Sequence, residues 1–187
     1  MRAMASTGAC VVAFLLTAAG CATMAYHEGN SRLARGDNPG AVAKLTEAIQ
    51  QDPQNFGAYL NRGVAYERMQ QYDQALRDFD EALRLVPTFG MAYHYRGHIH
   101  ADRNEHELAV RDYDQAIQCA GAVQVDAQGQ LVAVDLPGAY YDRGNALYRL
   151  GRYQEAVESY DQALALAPGF TAAANNRSIA SKKLSGG

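Results

Sequence analysis

Between residues 59 and 87 the chain sets large apolar positions and small ones at the spacing of paired amphipathic helices. Tyr59, Tyr66, Leu76, Phe79 and Leu83 are the large positions; Gly63, Ala75 and Ala82 are the small ones. Polar Gln70-Gln71 separates two helical runs, and Pro87 closes the stretch. The pattern predicts two antiparallel helices with a turn near Gln70-Gln71. Gly63 and Ala75 let the backbones approach closely. Tyr66, Phe79 and Leu83 then fill the space around that contact.

The unit recurs. Gly29, Gly63 and Gly97 are 34 residues apart, as are Ala41, Ala75 and Ala109, and Ala48, Ala82 and Ala116. Gly144 follows Gly97 by 47, an excess of 13. A fixed period of this length marks stacked helical repeats. Tyr59, Gly63, Tyr66, Ala75, Phe79, Ala82 and Pro87 resemble the tetratricopeptide repeat (TPR) family, with Tyr59 and Arg62 where that family most often has Trp and Leu. The resemblance implies an all-α, right-handed solenoid of about four helix-turn-helix repeats, over residues 22–184. The repeats are expected at about 22–55, 56–89, 90–120 and 137–170, with a capping helix at 171–184. In the first repeat, Gly36-Asp37-Asn38-Pro39 marks the turn, with Pro39 near the start of the second helix. The 13-residue excess falls within 121–136, where valines and Leu131 flank Asp126-Ala127-Gln128-Gly129. A short β-hairpin and a loop packed along the repeats both fit this segment. It is either a tolerated surface insertion or part of a binding face.

Residues 1–20 read as a secretory signal: Arg2, then an apolar run from Val11 to Ala19 too short to span a bilayer, then small residues. Ala18-Ala19-Gly20-Cys21 resembles a bacterial lipobox, although Ala18 stands where Leu is preferred. That resemblance implies lipidation at Cys21 and, since no Asp follows it, a body tethered at the outer membrane and facing the periplasm. The alternative is a secreted or periplasmic soluble form cleaved nearby.

Net charge is −3, which argues against a nucleic-acid binder with its basic stripe. The three cysteines, Cys10, Cys21 and Cys119, have no CxxC or zinc spacing, and Cys119 reads as a small packing residue.

Arg62-Gly63, Arg96-Gly97 and Arg143-Gly144 share a dipeptide. In an antiparallel pair these arginines reach the level of Asp78, Asp112 and Ser159. Arg62–Asp78 and Arg96–Asp112 are therefore expected as structural ion pairs, and Arg143 lacks the equivalent carboxylate, with Glu158 or Asp161 as substitutes. The rival reading, a phosphate or carboxylate site, fits regular recurrence less well.

The TPR resemblance implies that the concave face of the first helices binds a protein or peptide. The corresponding residues are Tyr26, Asn30 and Leu33, then Leu60, Val64, Glu67 and Arg68, then Met91, His94, His98 and Asp102, then Tyr141, Asn145, Tyr148 and Arg149. Aromatic anchors with hydrogen-bonding groups suit an extended peptide. Chaperone-binding members clamp a terminal carboxylate with cations and asparagines. Asn30 and Asn61 match the asparagine places, but Tyr26, Met91 and Tyr95 occupy the basic places, so that clamp is rejected.

The chain carries no GxSxG, P-loop or zincin motif, and no GxGxxG that opens a helix after a strand. It reads as a non-enzymatic interaction scaffold with no cofactor, tethered to the bacterial envelope. Two alternatives stand beside it. One is a metal-dependent enzyme on the His94/His98/Asp102 stripe, whose members are four residues apart, with no third firm ligand identifiable from another helix. The other is a self-assembling structural envelope protein.

Overall fold

The computed structural model describes residues 23–121, 124–125 and 131–186. The expected leader (1–20) and Cys21 lie outside these residues. The described chain is all-α apart from one two-residue ladder. Its helices are α1 (residues 23–34), α2 (Asn38–Gln51), α3 (Phe56–Arg68), α4 (Tyr72–Leu85), α5 (Gly90–Asp102) and α6 (His106–Cys119), followed by α7 (Leu136–Arg149), α8 (Tyr153–Leu166) and α9 (Thr171–Ser185). Within the inserted stretch, β1 (Gln124–Val125) pairs antiparallel with β2 (Leu131–Val132).

The starts of several helices are written locally. Asp37 accepts from Gly40 N at 3.0 Å and Asn55 from Ala58 N at 3.0 Å, while Asp135 caps α7 through Gly138 N. Each satisfies an amide that the first turn leaves without an intrahelical partner. Proline follows the caps of α2 and α7, where its missing N–H costs nothing. The turns inside the repeats place Gly36, Gln70, Asn104 and Gly151 at positive φ (80°, 59°, 60° and 75°).

The described chain divides into two compact units, up to Glu81 and from Ala82. In the first, Tyr26, Ala41, Leu45, Ala48, Ile49, Ala58 and Ala65 form a buried cluster. Gly29 faces Leu45 and Gly63 faces the Phe79 ring so closely that a Cβ on either glycine would lie under 3 Å from the partner. In the second, α6 packs on α5 and α7, and α8 on α7 and α9. Its core holds Ala109, Tyr113, Leu147, Ala156, Tyr160 and Ala163, with Ala173 and Ala180 of α9. Gly97 faces Tyr113 and Gly144 faces Tyr160 in the same small-against-large contact. Val134, at the end of the insertion, packs on Gly90 at the start of α5. No helix among the described residues is long and apolar enough to cross a membrane.

Candidate functional site

The glycine–ring contact fixes how close the two helices of a repeat stand. The arginines beside Gly63 and Gly97 are thereby aimed at the second helix. Arg62 Nε and Nη2 donate to Asp78 at 2.8 and 2.7 Å. Arg96 repeats this with Asp112 at the same two distances. Both aspartates are buried. Arg62 also donates to Thr46 Oγ1 on α2 at 3.1 Å, so one guanidinium ties two second helices to α3. Burial pushes the Asp78 carboxyl up by more than Arg62 pulls it down, the usual balance for an ion pair withdrawn from water.

Arg143 departs from the expectation of Glu158 or Asp161. Its Nε lies 2.7 Å from Asp114 Oδ1 on α6, a contact of charges without a well-aligned hydrogen bond. The reason is local. Ser159 carries no charge and donates to Glu155 O within its own helix at 2.9 Å, so Arg143 turns back to the preceding repeat. Asp161 is taken by Arg177 of α9.

The residues before Arg62, Arg143 and Arg177 reach back to the first helix of the preceding repeat. Asn61 Nδ2 donates to Asn30 Oδ1 at 2.8 Å and to the Tyr26 hydroxyl at 3.4 Å. Asn176 Nδ2 donates to Asn145 Oδ1 at 2.8 Å and to the Tyr141 hydroxyl at 3.2 Å. Between α5 and α7 the same place holds Asp142. His94 Nε2 and His98 Nε2 lie 3.1 and 3.0 Å from its Oδ2. Burial would raise the Asp142 carboxyl; the hydrogen bonds from His94 and His98 outweigh it and hold the group below its ordinary value. The two imidazoles meet edge-on, with centroids 4.5 Å apart, and both lean on the buried Tyr113 ring.

These nodes sort the residues expected at the partner face. Tyr26, Leu60 and Val64 are buried and are corrected from surface contacts to packing residues, since large apolar groups on the inner turn of a helix gain more from the core. Asn30, Glu67, His94, His98, Tyr141, Asn145 and Tyr148 are half-buried. Asp102 is exposed at the end of α5, and the cluster able to hold a metal is His94, His98 and Asp142 rather than the His94/His98/Asp102 stripe. Asp102 lies a further turn along the same helix, whereas Asp142 comes from a neighbouring one. Sequence reasoning missed Asp142, Asp114, Thr46 and Asn176. The signal for two of them was in the chain: Asn61, Asp142 and Asn176 each immediately precede a recurring arginine.

A cleft of about 440 Å³ opens beside the last of these nodes, lined by Asn145, Tyr148, Arg149, Tyr160, Asn176 and Ile179. Tyr160 donates to Asn145 Oδ1 at 2.9 Å, and burial pushes its hydroxyl well above the ordinary tyrosine value. The cleft therefore offers phenol and amide groups held in fixed directions, an exposed guanidinium, and an exposed apolar side chain. Cys119 is a half-buried free thiol raised by burial, which makes it a poor nucleophile.

Family models for tetratricopeptide repeats match residues 29–70, 57–89 and 137–170. The chain is built of tetratricopeptide repeats. It is 37% identical over 62 residues to the small glutamine-rich tetratricopeptide repeat-containing protein 2 of Saccharomyces cerevisiae, a match covering 33% of this chain and 18% of that protein. The chain thus spans under a fifth of that relative's length. Among solved structures it is similar to the MamA protein, with a TM-score of 0.73 at 22% identity over 88% of this chain and 83% of that one. It is also similar to the TPR2B domain in the pHsp70 complex of yeast Sti1, with a TM-score of 0.57 at 22% identity over 70% and 96%. At these identities the structural likeness speaks for the fold.

Proposed function

We propose that this TPR chain is a non-enzymatic interaction module that holds an extended peptide, or a segment of a partner protein, in the cleft between α7, α8 and α9. The observation that carries the reading is the lining of that cleft: Tyr148, Arg149 and Ile179 stand around an amide–phenol node already fixed by its own hydrogen bonds. Anchors that are rigid before binding cost little entropy on binding. Tyrosine and arginine are among the side chains that most often dominate protein interfaces. The TPR2B domain of Sti1, solved in a pHsp70 complex, supports a polypeptide partner as the class of ligand. The carboxylate clamp of chaperone-binding members is not part of the proposal, because Tyr26, Met91 and Tyr95 supply no counter-charge.

Affinity capture from a cell-envelope extract tests the reading, with the chain compared against a Tyr148→Ala, Arg149→Glu double variant whose folding is checked by circular dichroism. Loss of two central anchors is expected to cut recovery of the partner about tenfold or more. Equal recovery by a folded variant rules out the cleft.

The envelope location belongs to the same proposal. Residues 1–20 carry the pattern of a secretory signal, and the lipobox-like Ala18-Ala19-Gly20-Cys21 points to a lipid on Cys21, anchoring the body at the outer membrane on its periplasmic side. Each buried methylene of an acyl chain contributes ~0.8 kcal/mol to such an anchor. Mass spectrometry of the mature N-terminus is expected to find an acylated Cys21. An unmodified N-terminus cleaved nearby would instead mean a secreted or periplasmic soluble protein.

A further inference from the structure

The repeats provide an internal comparison for the node between α5 and α7. Two equivalent nodes, Asn61 on Asn30 and Tyr26, and Asn176 on Asn145 and Tyr141, bridge neighbouring first helices with neutral amide and phenol groups. A neutral node is therefore sufficient for the architecture. Between α5 and α7 all three places carry metal-ligating groups instead. They converge: the three ligand atoms lie within 4.8 Å of one another, and both imidazole Nε2 atoms approach the same carboxylate oxygen.

The spacing has a backbone cause. His94 and His98 are one turn apart on α5, which places their side chains on one helical face. Asp142 enters from the first helix of the following repeat. A zinc-class ion with nitrogen and oxygen ligands at about 2.0–2.2 Å holds its tetrahedral ligands about 3.3 Å apart. The two nitrogen-to-oxygen separations here, 3.1 and 3.0 Å, are a few tenths of an ångström shorter, so small side-chain rotations open the space. His94, Asp142 and His98 side chains are 14%, 26% and 34% exposed, which leaves a route of entry and one open side.

We propose that His94, His98 and Asp142 form a binding site for a divalent transition metal of the zinc class. His94 Nε2, His98 Nε2 and Asp142 Oδ2 are three protein ligands, with a fourth position open to solvent. Two imidazoles and one carboxylate suit Zn²⁺, Co²⁺ or Ni²⁺, and disfavour Mg²⁺ and Ca²⁺, which take oxygen ligands. The ion straps the first helices of the third and fourth repeats, the pair flanking the 121–136 insertion. It serves as a structural strap and needs no partner in the cleft.

The test uses the full chain without a polyhistidine tag, stripped with a chelator and titrated with Zn²⁺ alone by calorimetry, then with Co²⁺ read by visible absorption. One ion per chain, a Co²⁺ ligand-field band, and a higher melting temperature with Zn²⁺ but not Mg²⁺ are expected. A His98→Asn, Asp142→Asn double variant rebuilds the neutral amide node of the other joints, so it is expected to fold and to bind Zn²⁺ about 100-fold more weakly or worse. Asp142→Asn alone gives the same readout should the double variant fail to fold. Absence of one-to-one binding, or equal binding by the folded variants through His27, His100 or His106, overturns the site. Neither result depends on recovery of a partner.

Discussion

A single hydrogen atom in place of a methyl group sets the geometry of each repeat. At Gly144 an added Cβ would lie 2.5 Å from Tyr160 Cε1, and Tyr160 is almost fully buried. Alanine normally improves a helix by about 1 kcal/mol over glycine. Overpacking a tight core costs about 1–3 kcal/mol, and here it acts on a ring whose hydroxyl is also committed to Asn145. Gly144→Ala is therefore expected to destabilise the protein by about 1 kcal/mol net, read as a lower urea midpoint. A higher midpoint would show that helix propensity outweighs the ring contact. The arginines depend on the same closeness, since Arg62 and Arg96 reach their buried aspartates only when the paired helices stand this near.

At the scale of elements, the turns between the two helices of a repeat share one device. Gly36, Gln70, Asn104 and Gly151 all take left-handed backbone, and glycine or asparagine suits it while glutamine does not. Left-handed backbone costs an ordinary residue about 1–2 kcal/mol, part of which glycine gives back through its freer unfolded chain. Gln70→Gly is expected to stabilise the protein by about 0.5 kcal/mol, seen as a rise in melting temperature. An unchanged or lower melting temperature would mean that the side chain of Gln70 compensates the strain. The helix α9 uses the same devices as the first helices before it: Asn176 and Arg177 occupy the amide and arginine places, and Arg177 pairs with Asp161. It is thus held by the rules of a fifth first helix, although only Ala173 and Ala180 of it are buried.

Across the whole molecule, a regular architecture carries irregular chemistry. The glycine and alanine positions recur in all four repeats and the ring and arginine positions in the last three, and parts so repeated cannot by themselves select a partner. The node positions vary instead: amide and phenol at two joints, and two imidazoles with a carboxylate between α5 and α7. The metal-binding experiment addresses one of these nodes and the capture experiment the cleft beside another, and they separate cleanly. Loss of the cleft anchors is expected to leave Zn²⁺ binding intact, because Tyr148 and Arg149 are not among the three ligands.

The sequence by itself determined the period, and with it the helix pairs, their turns and the close approach at the glycines. These depend on residues a few turns apart, where spacing along one helix and across one turn fixes who faces whom. It also placed Arg62 opposite Asp78 and Arg96 opposite Asp112, since 16 residues separate each pair across a single turn. What only the tertiary structure decided was the set of contacts between repeats: Arg143 with Asp114, and His94 and His98 with Asp142. The last pairs are 48 and 44 residues apart; without the 13-residue excess they fall at the 35 and 31 of the Asn61 and Asn176 nodes, so the period relates the places, while the approach of the helices decides that these side chains meet there. The rotation and approach of packed helices brings them together, and that same packing buried Tyr26, Leu60 and Val64, which the family resemblance placed at a binding face.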